Sequence, residues 1–217
     1  MTVQREQPVT AADHTFIDLR QAIVEGEIPA GTKLSETELS TKYGVSRAII
    51  REAINRVGSC HLVERKPNVG ARVVQLTSQG LIQLYQTREA LEGMAARLAA
   101  QNMTDDEIKD LQSLLGVHSD KIDECQSYYQ EAGDVDFHYR LVLGSKNEHL
   151  ITILVDSIYH LVRMYRVQFG MTGPRISTAF AEHQHIVNAI ANRDGELAEL
   201  LMRRHIMYSR RNIESKL

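Results

Sequence analysis

The chain has 217 residues, 24% of them charged and 43% hydrophobic, with a formal net charge of −3, no tryptophan and four prolines. That length supports one large core or two ordinary ones, and the composition excludes a disordered chain and favours helix over strand. No apolar run approaches bilayer-spanning length, residues 1–8 lack a signal-peptide core, and Cys60 and Cys125 lie too far apart for a metal-type pair, so a cytoplasmic protein with reduced thiols and no membrane partner is expected.

The first predicted helix opens at Thr10-Ala-Ala-Asp13, carries Phe16, Leu19, Ile23 and Val24 on one stripe and ends near Gly26. Pro29-Ala-Gly31 is a turn. Ser35, with Glu38 three residues on, fits a capping box for a short second helix that carries Leu39 inward. Tyr43-Gly44-Val45 breaks the chain, and Ser46 caps a third helix. There Ile50, Ala53, Ile54 and Val57 form an apolar back, while Arg47, Arg51 and Arg56 project elsewhere. Such a front can enter a DNA major groove or can be a solvated cationic face, and the pattern alone leaves both open.

Two short β-prone runs, 61–66 and 70–75, flank the turn Pro67 to Gly70, which predicts a hairpin. Helix, helix-turn-helix and hairpin together make a winged helix-turn-helix over residues 10–75, with Lys66, Asn68, Gly70 and Arg72 placed at the wing to meet the minor groove or backbone. Charge is segregated accordingly. From Lys42 to Arg72 there are seven basic residues against two acidic ones, a net +5 that leaves −8 for the remainder.

These motifs resemble the N-terminal domain of the GntR family of bacterial transcription regulators: Gly26, Pro29 to Gly31, Leu34-Ser-Glu36, Leu39, Gly44-Val-Ser-Arg47, Arg51-Glu-Ala53 and Gly70 stand in order. The resemblance implies double-stranded DNA as partner, touched by Thr37, Ser46, Arg47, Ala48, Arg51 and the wing residues Lys66, Asn68 and Gly70. Two departures stand out. Ala48-Ile49 replaces the family's usual Thr-Pro, and His61 stands where a glycine is common.

Beyond a linker at Val73 to Ser78, the period is helical to the end. A long helix carries Leu81, Leu84, Tyr85, Arg88, Leu91, Glu92, Ala95 and Leu98 on one broad face. Thr104-Asp-Asp-Glu107 is a capping box for the next. Further helices are predicted over Val135 to Leu143, Glu148 to Phe169, Ile176 to Ala191 and Gly195 to Asn212, with Gly170 to Pro174 as a break. Six helices in the region 79–215 suggest an antiparallel bundle, so the fold is expected to be mainly α, a winged helix-turn-helix followed by a helical bundle.

Within that bundle Asp134 and His138 share a helix face, and His183 and His205 each fall in register with apolar neighbours, whereas His185 is turned toward water. Each histidine taken singly could be a core residue bonded to a backbone carbonyl. Together, three imidazoles and a carboxylate suit a divalent transition metal such as Zn, with Ni, Mn or Fe as alternatives.

The bundle resembles the FadR C-terminal (FCD) domain, and its VanR-like six-helix group, through Arg88-Glu-Ala-Leu-Glu92, Asp134-Val-Asp-Phe-His138, Asn147, Glu182-His183, Ala189-Ile190, Arg193-Asp194 and His205. This resemblance implies a metal held by Asp134, His138, His183 and His205 and a small carboxylate effector beside it. Arg88 is placed to clamp that carboxylate, or else to form a structural ion pair with Glu92; Arg163 and Tyr165 are further effector candidates.

Three functions follow: a ligand-responsive regulator acting as a homodimer on two-fold related half-sites, a metallohydrolase using the same Asp/His set, and a pure metal sensor. The hydrolase lacks a separately placed general base and leaves residues 35–72 unexplained, and a buried Arg88 has no purpose in a site for cations alone.

Overall fold

A computed structural model describes residues 10–66, 70–125, 137–169 and 175–215, and the chain divides after Gln75 into two compact units. In the first, α1 (Ala11–Val24) starts where the Thr10 hydroxyl accepts the Asp13 amide and the Asp13 carboxylate accepts the Thr10 amide, a complete capping box. Bonds from the Thr10 hydroxyl and amide, then from Arg56, hold the Asp13 carboxyl down to about 2. Leu19, Ile23 and Val24 are buried as the stripe predicts, but Phe16 is only half-buried and its ring receives the Arg20 and Arg56 guanidiniums at 5.0 and 4.2 Å. Arg56 also bonds Asp13 at 2.9 Å, so it fastens the scaffold and does not join Arg47 and Arg51 on the open face.

In α2 (Glu36–Tyr43), capped by Ser35, Leu39 is buried. Gly44 ends the helix at φ 67°, a left-handed turn that a side chain would strain. The Ser46 hydroxyl then accepts the Ile49 amide to start α3 (Arg47–Ser59), whose Ile50, Ala53, Ile54 and Val57 are at most 1% exposed. Strand β1 (Val63–Lys66) pairs antiparallel with β2 (Gly70–Val73), in register from Val63 opposite Val73 to Lys66 opposite Gly70, and Lys33 bridges Arg72 at the sheet edge. Asn68 lies outside the described residues; β1 is shorter than its predicted run because residues 61–62 turn the chain out of α3, and β2 ends at Val73, short of its predicted run. Arg72 donates to the Gly31 carbonyl at 3.0 Å, which draws it to the base of the wing and away from its tip.

The second unit is built on α4 (Ser78–Asn102), followed by α5 (Asp105–Cys125), α6 (Phe137–Gly144), α7 (Glu148–Ile153), a π turn (Leu154–Ile158), α8 (Tyr159–Phe169), α9 (Arg175–Ala191) and α10 (Gly195–Glu214). The segment predicted as one helix over 148–169 is continuous, with the π turn inside it. Helix α4 packs mainly on α10 and also on α6 and α9. Ala95, Ala96, Ala99 and Ala100 are fully buried, and a Cβ on Gly93 would stand 2.7 Å from Arg203 Cγ, so small side chains set this close approach. The Tyr165 hydroxyl donates to the Thr77 carbonyl at 3.0 Å and receives the Thr77 amide at 3.2 Å, clamping the start of α4.

His61, where the turn into the wing needs a left-handed residue, sits at φ 58°. An L side chain in that region costs about 1–2 kcal/mol, partly offset by glycine's larger unfolded-state entropy. His61→Gly is therefore expected to stabilise the N-terminal unit by about 0.5–1 kcal/mol, read as a higher midpoint for that unit's transition in calorimetric melting of the whole chain.

Candidate functional site

On the N-terminal unit, Thr37, Ser46, Arg47, Ala48 and Arg51 are all exposed, while the back of α3 is sealed in the core. Burying one face of a short helix forces the other outward, and Gly44 sets the angle between α2 and α3. Arg51 makes a bidentate pair with Glu36, Nε to Oε1 at 2.9 Å and Nη2 to Oε2 at 2.7 Å, and Arg47 Nη2 lies 3.9 Å from the same carboxylate. The Arg51 hydrogen bond holds the Glu36 carboxyl below its ordinary value. Exposed ion pairs of this kind contribute little stability, so a nucleic-acid phosphate can compete for these guanidiniums. Gly70 is exposed at the start of β2; Lys66 ends β1.

In the helical unit, three imidazoles from three helices converge: His138 on α6, His183 on α9 and His205 on α10, each at most 2% exposed. His205 Nε2 stands 3.1 Å from His183 Nε2 and 3.3 Å from His138 Nε2. Phe137 stacks on His183 with centroids 4.1 Å apart, fixing one ring plane. The opposite nitrogens of two rings are engaged: His138 Nδ1 lies 2.7 Å from Glu92 Oε2, and His205 Nδ1 lies 2.7 Å from Glu182 Oε2.

A carboxylate can only accept, so this network assigns the proton of each neutral ring to Nδ1 and leaves the lone pair on Nε2. As neutral rings, His138 and His205 present two acceptors to each other at 3.3 Å, which repel unless a proton or a metal ion lies between them. The separations match the edge of about 3.3 Å that metal–nitrogen bonds of about 2.0–2.1 Å give in a tetrahedral set. The residues present therefore fit a divalent metal, with carboxylates orienting its ligands from behind. Asp134, the fourth predicted ligand, lies outside the described residues.

Arg88 is completely buried on α4. Its Nε donates to Glu92 Oε1 at 2.6 Å, so the structural ion pair forms, yet Nη1 remains buried without a partner among the described residues. The Tyr85 hydroxyl is orphaned in the same way. The guanidinium lies 4.7 Å from the Tyr85 ring centroid and 5.9 Å from that of Tyr159. Burial acts to raise the Glu92 carboxyl, but Arg88 and then His138 hold it well below the usual carboxylate range. Arg88 is likewise pushed up, with burial opposed by Glu92 and then by Tyr85.

Glu92, Glu182, Tyr85 and Tyr159 were not among the predicted site residues. An acidic side chain at i+4 from a buried arginine was the available signal for Glu92. The Tyr165 hydroxyl, predicted for the effector, is instead spent on the Thr77 backbone, and Arg163 is half-buried on α8.

Residues 11–73 match the model of the bacterial regulatory proteins of the gntR family, and residues 83–207 match the FCD domain. The chain is 33% identical over 176 residues to the Nta operon transcriptional regulator of Aminobacter aminovorans, covering 81% of each chain. It is 27% identical over 213 residues to a protein of Paenarthrobacter nicotinovorans described as a probable D-xylose utilization operon transcriptional repressor, covering 94% of this chain and 89% of that one. The solved structure of E. coli McbR/YncC superposes with a TM-score of 0.73 at 18% identity, covering 95% of this chain and 98% of the other, a likeness of fold.

Zn²⁺ added to metal-free protein is expected to raise the melting transition of the helical unit. At a free concentration of about 100 times Kd the gain is about 2.7 kcal/mol. Calorimetry of the His183→Ala protein, which removes one of the three converging nitrogens, should show most of that gain lost.

Proposed function

Since the chain belongs to the GntR family of bacterial regulatory proteins and carries the FCD domain, a transcription regulator and not an enzyme, we propose that a metal-assisted carboxylate site in its helical unit controls operator binding by its N-terminal unit. Arg88 Nη1 supports the effector half: among the described residues this charged donor is buried without a partner, as is the Tyr85 hydroxyl. A buried donor left unmade costs about 1–3 kcal/mol or more, and a small organic carboxylate would satisfy it.

His138, His183 and His205 would hold the metal through Nε2, and Asp134 stays in the set on its spacing from His138. A bound divalent ion supplies a Lewis-acidic position for an oxygen of the effector. Arg88 orients the carboxylate, Tyr85 and Tyr159 wall the guanidinium, and Glu92 and Glu182 fix the imidazole rings. Arg163 remains a candidate for the effector, whereas the Tyr165 hydroxyl already bonds the Thr77 backbone. A pure metal sensor has no use for a desolvated guanidinium at this place.

On the DNA side, Arg47 and Arg51 would reach base edges or phosphates, Ser46, Thr37 and Ala48 would lie along the groove, and Lys66, Asn68 and Gly70 would form the wing contact. Two copies on two-fold related half-sites would supply the specificity that one short helix lacks. A carboxylate changes operator affinity only if it binds one arrangement of the dimer better than the other.

Binding to a duplex carrying a two-fold operator is expected to weaken about tenfold with Arg47→Ala, and its salt dependence to flatten if that contact is to phosphate. Arg88→Met should leave DNA binding near the wild-type value but abolish its response to a panel of small carboxylates, measured by fluorescence anisotropy with metal present. An unchanged affinity for Arg47→Ala would reject the reading helix, and an unchanged response for Arg88→Met would reject the clamp.

A further inference from the structure

We propose that Glu92 is a positioning residue that couples Arg88 to the metal ligand His138, so that a carboxylate at Arg88 and a divalent ion at the histidines each bind more tightly when the other is present. This rests on the metal-assisted effector site proposed above. The two oxygens of one side chain are divided between the two sites: Oε1 accepts from Arg88 Nε at 2.6 Å and Oε2 lies 2.7 Å from His138 Nδ1. All three side chains are at most 3% exposed. With no bulk water between them, a change of charge at one end is felt at the other.

Nη1 of Arg88, buried with no partner among the described residues, is the position a carboxylate would take. Its negative charge would neutralise the guanidinium, draw less on Glu92 and leave Oε2 a stronger acceptor for the His138 N–H. A better acceptor at Nδ1 makes Nε2 a better donor to metal. In reverse, a divalent ion at Nε2 pulls the His138 N–H toward Glu92, which loosens the hold on Arg88 and frees it for an anion. Linkage requires the two effects to be equal. Glu182 holds His205 at the same 2.7 Å but is more exposed, at 19%, and serves as a comparison.

The test is a Co²⁺ titration of the full-length chain, reading both Kd and the d–d absorption of the bound ion, in wild type, Arg88→Met, Glu92→Gln and the double variant. Glu92→Gln should weaken Co²⁺ binding about 10–100-fold. Arg88→Met, which touches none of the histidines, should tighten it by roughly fivefold or more when Glu92 is present, shift the d–d bands, and have no effect beyond about twofold in the Glu92→Gln background. Glu182→Gln should weaken binding but leave the Arg88→Met effect intact.

Because Arg88→Met leaves a buried carboxylate without its cation, its Kd is also taken from the Co²⁺-loaded fold by chelator competition. A purely structural role would lower the melting temperature and leave affinity and spectrum unmoved. Equal Arg88→Met effects in both backgrounds, or a Glu92→Gln Kd within about twofold of wild type, would overturn the coupling while the metal site stands. Absence of Co²⁺ binding by the wild type would remove the metal site and the coupling with it.

Discussion

Glu92 is a carboxylate buried on the core face of α4, with an arginine on one oxygen and an imidazole on the other. Three polar groups brought out of water together contribute little to stability, since a well-packed apolar replacement of similar volume is often at least as stable. What they supply is orientation. Glu92 engages His138 Nδ1, leaves Nε2 turned toward His205, and holds the guanidinium with Nη1 unpartnered among the described residues. Arg88 and His138 are therefore both fixed by a single side chain, with Phe137 and Glu182 setting the other two rings.

A simpler constraint shapes the N-terminal unit. Ile50, Ala53, Ile54 and Val57 have to be buried, so Arg47, Ala48 and Arg51 have to face out, and the left-handed Gly44 sets the angle at which α3 is offered. Ser46 is both exposed on that face and bonded to the Ile49 amide, so the hydroxyl that would reach DNA also starts the helix that carries it. Glu36 steadies Arg51 in the open.

Much of this was legible in the sequence because it depends on local periodicity and caps. Thr10 with Asp13 and Thr104 with Glu107 form the reciprocal bonds that their spacing implies, and the inward register of His138, His183 and His205 follows from the apolar residues around them. Other features depend on which elements meet in space. Arg56 looked like a member of the cationic front, but α1 brings Asp13 and Phe16 beneath it. Tyr165 looked like a pocket residue, but the start of α4 uses its hydroxyl. Glu92 looked like the mere partner of Arg88 until α6 set His138 against its second oxygen. His61 shows the converse: the turn into the wing is left-handed at this position, and a histidine adopts it.

The Nε2 atoms of His138, His183 and His205 are placed to enclose a metal ion. Crystals of protein prepared with Zn²⁺, measured on both sides of the zinc absorption edge, show whether they do. The expected result is one anomalous peak about 2.0–2.1 Å from Nε2 of each of His138, His183 and His205. A map without a peak there, with the three rings bonded to one another or to water, would contradict it.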